Sequence, residues 1–161
     1  MRIATFELDG HREVGLVSDD GKTVTALAFS AEQALKGAQV VIDLQAAGQA
    51  LPAVAGVPVP VSDVRLAAPL PLPRRNVWCV GRNYHAHAKE LSASVFKDSG
   101  AKTDEWPIVF TKVPECVVGP HDDVLVPSEI STQIDYEAEL AVIIGKGGKN
   151  ITRAVTSLTT V

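Results

Sequence analysis

The sequence predicts a mostly β protein of the α+β class, and three observations support this prediction. Short runs of alternating or wholly apolar residues, which are typical of strands, occur in both halves of the 161-residue chain. Asp-Gly pairs at 9–10 and 20–21 are hairpin turn signals between the first of these runs. Helical patterns are restricted to an alanine-rich stretch at 30–48 and a short stretch after residue 82.

Residues 1–50 are expected to form a small N-terminal domain, a β-meander followed by helix. Its three strand patterns lie at residues 2–8, 12–17 and 22–27. Ser30 and Gln33 have the spacing of a capping box, which predicts the start of a helix. Gly37 is expected to divide that helix into two short ones, because glycine weakens a helix interior.

Proline density marks a second region, residues 51–73. Six of the ten prolines lie there, and proline disfavours both helices and central strands, so we predict a linker. Residues 74–161 are assigned to a second domain. Its strand patterns end at Gly81 and Lys112 and recur over residues 133–145.

Charge and composition limit the classes of partner. The net charge is −4 and the charged residues are not grouped into a basic block, so no nucleic-acid partner is expected. No apolar run reaches the roughly 20 residues of a membrane span, and the first residues do not resemble a signal peptide. Cys79 and Cys116 match no metal or redox spacing. We therefore expect a cytoplasmic protein with two reduced thiols.

The segment QIDYEAELAVIIG, residues 133–145, combines an apolar pattern with three acids. On a strand, Asp135, Glu137 and Glu139 would share one face, with neighbouring Cα atoms about 7 Å apart. Carboxylates converging at that distance favour a hard cation, Mg²⁺, Mn²⁺ or Ca²⁺. The alternative is the hydrated polar face of an edge strand.

A second set of candidate residues lies in NYHAHAKE. His87 and Glu90 are three residues apart and would meet on one helical face, where the carboxylate could orient the imidazole as a general base. The alternative is an ordinary contact on a surface helix. Lys112, which ends a strand pattern, is either an electrostatic aid to an anionic substrate or a solvated strand end. Cys79 as a nucleophile is disfavoured, because it lies inside an apolar run.

Three motifs in order, VGRNYHAHAKE, PIVFTKVPECVVGP and IDYEAELAVIIGK, resemble the fumarylacetoacetate hydrolase family. The resemblance implies an α+β, mostly β fold: a fumarylacetoacetate-hydrolase-like β-sandwich roll, here incomplete, after the small N-terminal domain. It implies a dimeric enzyme that uses Mg²⁺ or Mn²⁺, with Ca²⁺ in some members. Family members cleave carbon–carbon bonds in β-diketo acids and acylpyruvates, or decarboxylate or isomerise related keto acids.

The resemblance also assigns residue roles by position. Glu137 and Glu139 match the metal ligands. His87, Glu90 and Lys112 match the catalytic residues. Arg82 and Tyr84 match substrate-binding positions. In the family a third metal ligand, an aspartate, follows further along the chain, but no carboxylate follows Glu139 here. We therefore expect an N-terminal fragment of the roll that binds metal weakly. The alternatives are a catalytically inactive fragment and a non-enzymatic β module that self-associates.

Overall fold

The computed structural model describes residues 1–81, 83 and 107–150. These residues belong to two compact units: one contains Met1–Leu72 and the chain from Val117 onward, and the other is Pro73–Cys116. The described residues include seven strands and two α-helices, so the predicted mostly β, α+β class is confirmed. No helix among these residues has the length and apolar character needed to cross a membrane.

A five-stranded antiparallel sheet forms the centre of the first unit. Its strands are β1 (Arg2–Leu8), β2 (His11–Val17), β3 (Thr23–Ala26), β4 (Val59–Pro60) and β5 (Arg65–Leu66), in the order β4-β3-β2-β1-β5. The predicted meander β1-β2-β3 is confirmed. Asp9 and Gly10 connect β1 to β2 with φ values of 50° and 78°, the left-handed conformation that a two-residue hairpin turn requires.

Two short helices, α1 (Ala31–Ala34) and α2 (Gln39–Ala46), follow the meander. The predicted capping box is present, because Gln33 N–H donates to Ser30 Oγ at 3.2 Å and Ser30 N–H donates to Gln33 Oε1 at 2.9 Å. Gly37 separates the helices with a φ of 59°, as its position predicted.

The core of the first unit lies between the sheet and α2. Val14 of β2 is fully buried against Val40 and Val41 of α2, and Ile3, Phe29 and Leu51 pack around them. Thr5 pairs with Val14 across β1 and β2, so its side chain lies on the same face of the sheet. Burial of this face holds α2 on the sheet.

The proline-rich segment differs from the linker that we predicted. It provides both edge strands, β4 and β5, with a 3₁₀ turn at Val61–Asp63 between them. Upstream, Ala55 N–H donates to the carbonyl of Ala26 at 2.7 Å, which ties the segment to the end of β3. Proline is compatible with these positions because an edge strand leaves half of its backbone groups unpaired.

The second unit contains an antiparallel hairpin of β6 (Val77–Gly81) and β7 (Ile108–Lys112), followed by a 3₁₀ turn at Pro114–Cys116. Both strands were predicted. Their register pairs Val77 with Lys112 and Gly81 with Ile108.

The prediction of a strand over 133–145 is wrong for the described chain. These residues form no strand, and Tyr136 and Leu140 are 90% and 73% exposed. An alternating pattern produces a strand only where a neighbour pairs with its backbone groups. No described strand pairs with this segment, so the apolar residues that the pattern predicted to be buried are exposed.

Candidate functional site

The two predicted metal ligands lie on the acidic segment, residues 133–145, which forms no strand. Glu137 and Glu139 are both exposed. Because this segment is not part of a described strand, strand geometry does not direct the two carboxylates toward one point. Asp135, which precedes them, accepts a hydrogen bond from Tyr136 N–H at 2.8 Å, so one of its oxygens is engaged locally.

The donor chemistry of this segment fits a hard divalent cation in part. Carboxylate oxygens are the ligands that Mg²⁺ and Mn²⁺ prefer, and Glu137 with Glu139 would supply two of them. Among the described residues, no group of three or more His, Cys, Asp or Glu side chains lies close enough together to hold a metal ion. The described chain therefore offers an incomplete ligand set of the correct type.

Lys112 lies where the sequence predicted, at the last position of β7. Its side chain is exposed and is on the same face of the hairpin as that of its cross-strand partner Val77. Cys79, the disfavoured nucleophile, is half-buried on β6 with a free thiol. The catalytic role of Lys112 remains a prediction.

The other four predicted site residues are Arg82, Tyr84, His87 and Glu90. All four lie outside the described residues. Their assignment to substrate binding and catalysis rests on the sequence motif alone.

A cluster that the sequence analysis missed lies upstream of the acidic segment. Arg65 of β5 forms an ion pair with Asp122 at 2.5 Å, and Gly119 N–H donates to the other carboxylate oxygen of Asp122 at 2.7 Å. These two interactions, the Gly119 hydrogen bond first, lower the pKa of Asp122. Arg65 and Asp122 are separated by 57 positions, so no local sequence pattern could predict their contact.

A cavity of about 140 Å³ lies beside this cluster. Glu7 of β1 and Arg12 of β2 line it together with Arg65 and Asp122, and Arg12 donates to Glu7 at 2.6 Å. Each cation of the cavity is therefore paired with an acid, and the positive charge of Arg12 also lowers the pKa of Asp122. The cluster connects the N-terminal sheet to the chain that leads to the acidic segment.

Comparison with known proteins agrees with the sequence resemblance. Residues 76–159 match the family model described as fumarylacetoacetate (FAA) hydrolase C-terminal. Over 93 residues the chain is 45% identical to the oxaloacetate tautomerase YisK of Bacillus subtilis, and 43% identical to the human mitochondrial oxaloacetate tautomerase FAHD2B. These alignments cover 58% of this chain, but 29% and 26% of those relatives.

A solved structure is similar over nearly the whole chain. It is a fumarylacetoacetate hydrolase from the psychrophile Exiguobacterium antarcticum, 32% identical, with a TM-score of 0.65. The likeness covers 94% of this chain and 50% of that protein. The chain thus spans about half of the solved relative and less than a third of the curated relatives that it matches.

Proposed function

The chain belongs to the fumarylacetoacetate hydrolase family, and on that premise we propose that it contributes to a divalent-metal-dependent enzyme acting on small keto acids. The observation that carries the proposal is the family match over residues 76–159, which includes all seven predicted site residues. We place the enzyme in the cytoplasm, and we expect it to act as a homodimer.

The proposed roles follow from the chemistry of each side chain. Glu137 and Glu139 would hold Mg²⁺ or Mn²⁺, with Ca²⁺ as a further candidate, and the bound cation would polarise a substrate carbonyl. His87, oriented by Glu90, accepts a proton. Lys112 places an ammonium near the developing enolate oxygen. Arg82 and Tyr84 bind the substrate.

Hydrolytic C–C cleavage of an acylpyruvate or related β-diketo acid is the first candidate reaction. His87 takes a proton from water, and the hydroxide adds to the acyl carbonyl carbon. The adjacent C–C bond then breaks, its electron pair forms the enolate of pyruvate, and that enolate takes up a proton. The products are a carboxylate and pyruvate, so all atoms of the water and the substrate are accounted for.

Keto–enol interconversion is the second candidate, and a specific observation favours it. The relatives at 45% and 43% identity are both named oxaloacetate tautomerases. In this reaction His87 would move a proton between the carbon that separates the two carbonyl groups and the enol oxygen, and no C–C bond would break. Each candidate passes through an enolate, of pyruvate in the cleavage and of oxaloacetate in the tautomerisation, so the same residues could serve either one.

Two parallel assays distinguish these reactions. The full chain is incubated with an acylpyruvate while pyruvate release is measured, and with the enol form of oxaloacetate while the decay of enol absorbance is measured. His87→Ala should abolish whichever activity is present, because the base is lost. His11→Ala is the matched control, since His11 is an exposed residue of β2. Activity that survives His87→Ala would contradict the assignment.

Metal binding is tested independently of turnover. Mn²⁺ is titrated into the full chain, and the free aqueous ion is measured by electron paramagnetic resonance. Glu137→Gln and Glu139→Gln should each weaken binding, whereas Glu129→Gln, an exposed acid upstream of the segment, should not. If wild-type protein does not bind Mn²⁺, the chain is the inactive fragment that the incomplete ligand set allows.

A self-associating β module is the non-enzymatic alternative. One observation favours it: five large apolar side chains of the acidic segment are 52–90% exposed, namely Ile134, Tyr136, Leu140, Val142 and Ile144. Exposed apolar residues on a segment that forms no strand promote association between chains. Sedimentation velocity at increasing concentration tests this, and Val142→Lys should reduce association. A monomer at every concentration would contradict it.

A further inference from the structure

We propose that the β6–β7 hairpin is a docking surface for the half of the fumarylacetoacetate hydrolase fold that this chain does not span. That half, which we call the complementary half, is the part of the solved Exiguobacterium relative that lies outside its match to this chain. The inference goes beyond the proposed function, because docking requires neither a metal ion nor a substrate.

Both faces of the hairpin are apolar and exposed. Side chains alternate between the two faces of a strand, and the register pairs Cys79 with Phe110 and Val80 with Val109. The large apolar side chains are therefore divided between the faces, with Val77, Ile108 and Phe110 on one and Trp78, Val80 and Val109 on the other. They are 37–48% exposed on the first face and 39–72% exposed on the second. Apolar residues on both faces of a strand pair are typical of a sheet that is covered from both sides.

The hairpin has no buried core of its own among the described residues. Every buried apolar side chain of the described chain lies between Phe6 and Ala68, in the first unit. The described part of the second unit, residues 73–81, 83 and 107–116, contains only half-buried and exposed residues. A two-stranded hairpin alone is marginally stable in water at best, and stability requires further strands or a packed layer. The hairpin therefore needs apolar cover that the described residues do not supply.

The size of the solved relative indicates where that cover comes from. The likeness spans 94% of this chain but 50% of the relative, so the relative has as much polypeptide outside the match as inside it. A polypeptide of that length is long enough to place strands beside the hairpin and apolar residues on both of its faces.

A second copy of this chain fits the hairpin less well. Two copies related by a twofold axis bury the same patch on each copy, so a dimer formed through one face of the hairpin leaves the other face exposed. That face would still carry three large apolar side chains. The two-faced pattern therefore favours the complementary half as the partner.

Co-expression with the complementary half tests the proposal. The full chain carries an affinity tag, and the complementary half of the Exiguobacterium enzyme is produced beside it as a separate, untagged polypeptide. We expect a one-to-one complex, with its dissociation constant measured by biolayer interferometry. Val109→Lys and Phe110→Lys, one on each face, should each weaken the complex by about tenfold or more, because each loses the burial of an apolar side chain. Val57→Lys, at an exposed valine of the first unit, is the matched control and should leave the affinity unchanged.

Trp78 provides a second readout that does not depend on assembly from two polypeptides. Trp106→Phe leaves Trp78 as the only tryptophan of the chain, and Trp78 is 72% exposed. The complementary half, with any tryptophan replaced by phenylalanine, is then fused to this variant. Quenching of Trp78 fluorescence by acrylamide should be weaker in the fusion than in the chain alone, and the emission should shift to shorter wavelength.

Four results would overturn the proposal. They are purification of the tagged chain without the complementary half, equal quenching of Trp78 in the chain and in the fusion, a complex that only one of the two face variants weakens, and a homodimer in place of the complex. The last result would identify a second copy as the partner. None of these measurements uses activity or metal binding, so failure of the proposed function and failure of this inference are distinguishable.

Discussion

Replacement of Thr5 by valine tests how the proline-rich segment is fixed to the N-terminal sheet. Thr5 is 2% exposed, and its hydroxyl donates to the carbonyl of Pro69 at 3.0 Å and accepts from Ala38 N–H at 3.1 Å. The hydroxyl therefore joins β1, the start of α2 and the proline-rich segment. Valine has the same shape but neither donates nor accepts.

The geometry sets the size of the expected loss. Removal of a partner from two buried groups would cost about 1–3 kcal/mol for each group left unsatisfied. However, Ala38 N–H also donates to the Pro69 carbonyl directly, at 2.8 Å, so both groups keep a partner in Thr5→Val. The expected loss is thus that of an ordinary hydrogen bond, about 1 kcal/mol of the free energy of unfolding.

Urea unfolding followed by far-ultraviolet circular dichroism measures this loss. For a denaturant slope of about 2 kcal/mol/M, the midpoint should fall by about 0.5 M. Thr25→Val, at a half-buried position of β3, is the control and should change the midpoint little. Unchanged stability of Thr5→Val would refute the reasoning. A loss above about 3 kcal/mol would also refute it, because Ala38 and Pro69 would then not satisfy each other.

Three further changes test other features of the first unit. Gly15→Ala should cost about 2 kcal/mol or more in thermal unfolding, because its Cβ would lie 2.4 Å from the Thr25 carbonyl oxygen; a stable variant would contradict the β2–β3 packing. Ser30→Ala should cost about 1 kcal/mol by the same measurement, and no change would mean that the capping box does not stabilise α1. The pKa of Asp122 is lowered by Gly119 N–H and Arg65, so the ionised carboxylate stabilises the fold above the ordinary aspartate pKa, and this contribution is lost as pH falls through the lowered value. The urea midpoints of wild type and Asp122→Asn should therefore differ at neutral pH, and the difference should shrink as pH falls through the lowered pKa; a constant difference would contradict the shift.

The sequence predicted the strands and helices of residues 1–50 well because they are determined locally. The Asp9-Gly10 turn, the Ser30–Gln33 capping box and the break at Gly37 each act within a few residues. The strands β6 and β7 were also recognisable, since each is a short apolar run with a clear end. Their pairing with each other was not predicted, because strand partners far apart in the chain leave no local signal.

The remaining features depend on long-range contacts. The edge strands β4 and β5 are two residues long, which is too short for a periodic pattern, and Pro60 argues against a strand when the neighbour is unknown. The acidic segment shows the opposite error, because it has a strand pattern but is not part of a described strand. Within the candidate site, the roles of Glu137, Glu139 and Lys112 stay predictions from the sequence, and the contact of Asp122 with Arg65 left no local signal.

The short edge strands of the N-terminal sheet have a consequence for aggregation. A long exposed edge invites a foreign strand to add to it, which is the first step of fibril growth. Here each edge strand is two residues long, and Pro60 supplies no N–H group to an incoming chain. This sheet is therefore a poor template for fibril growth. Fusing other polypeptides to either edge strand should not cause the protein to aggregate.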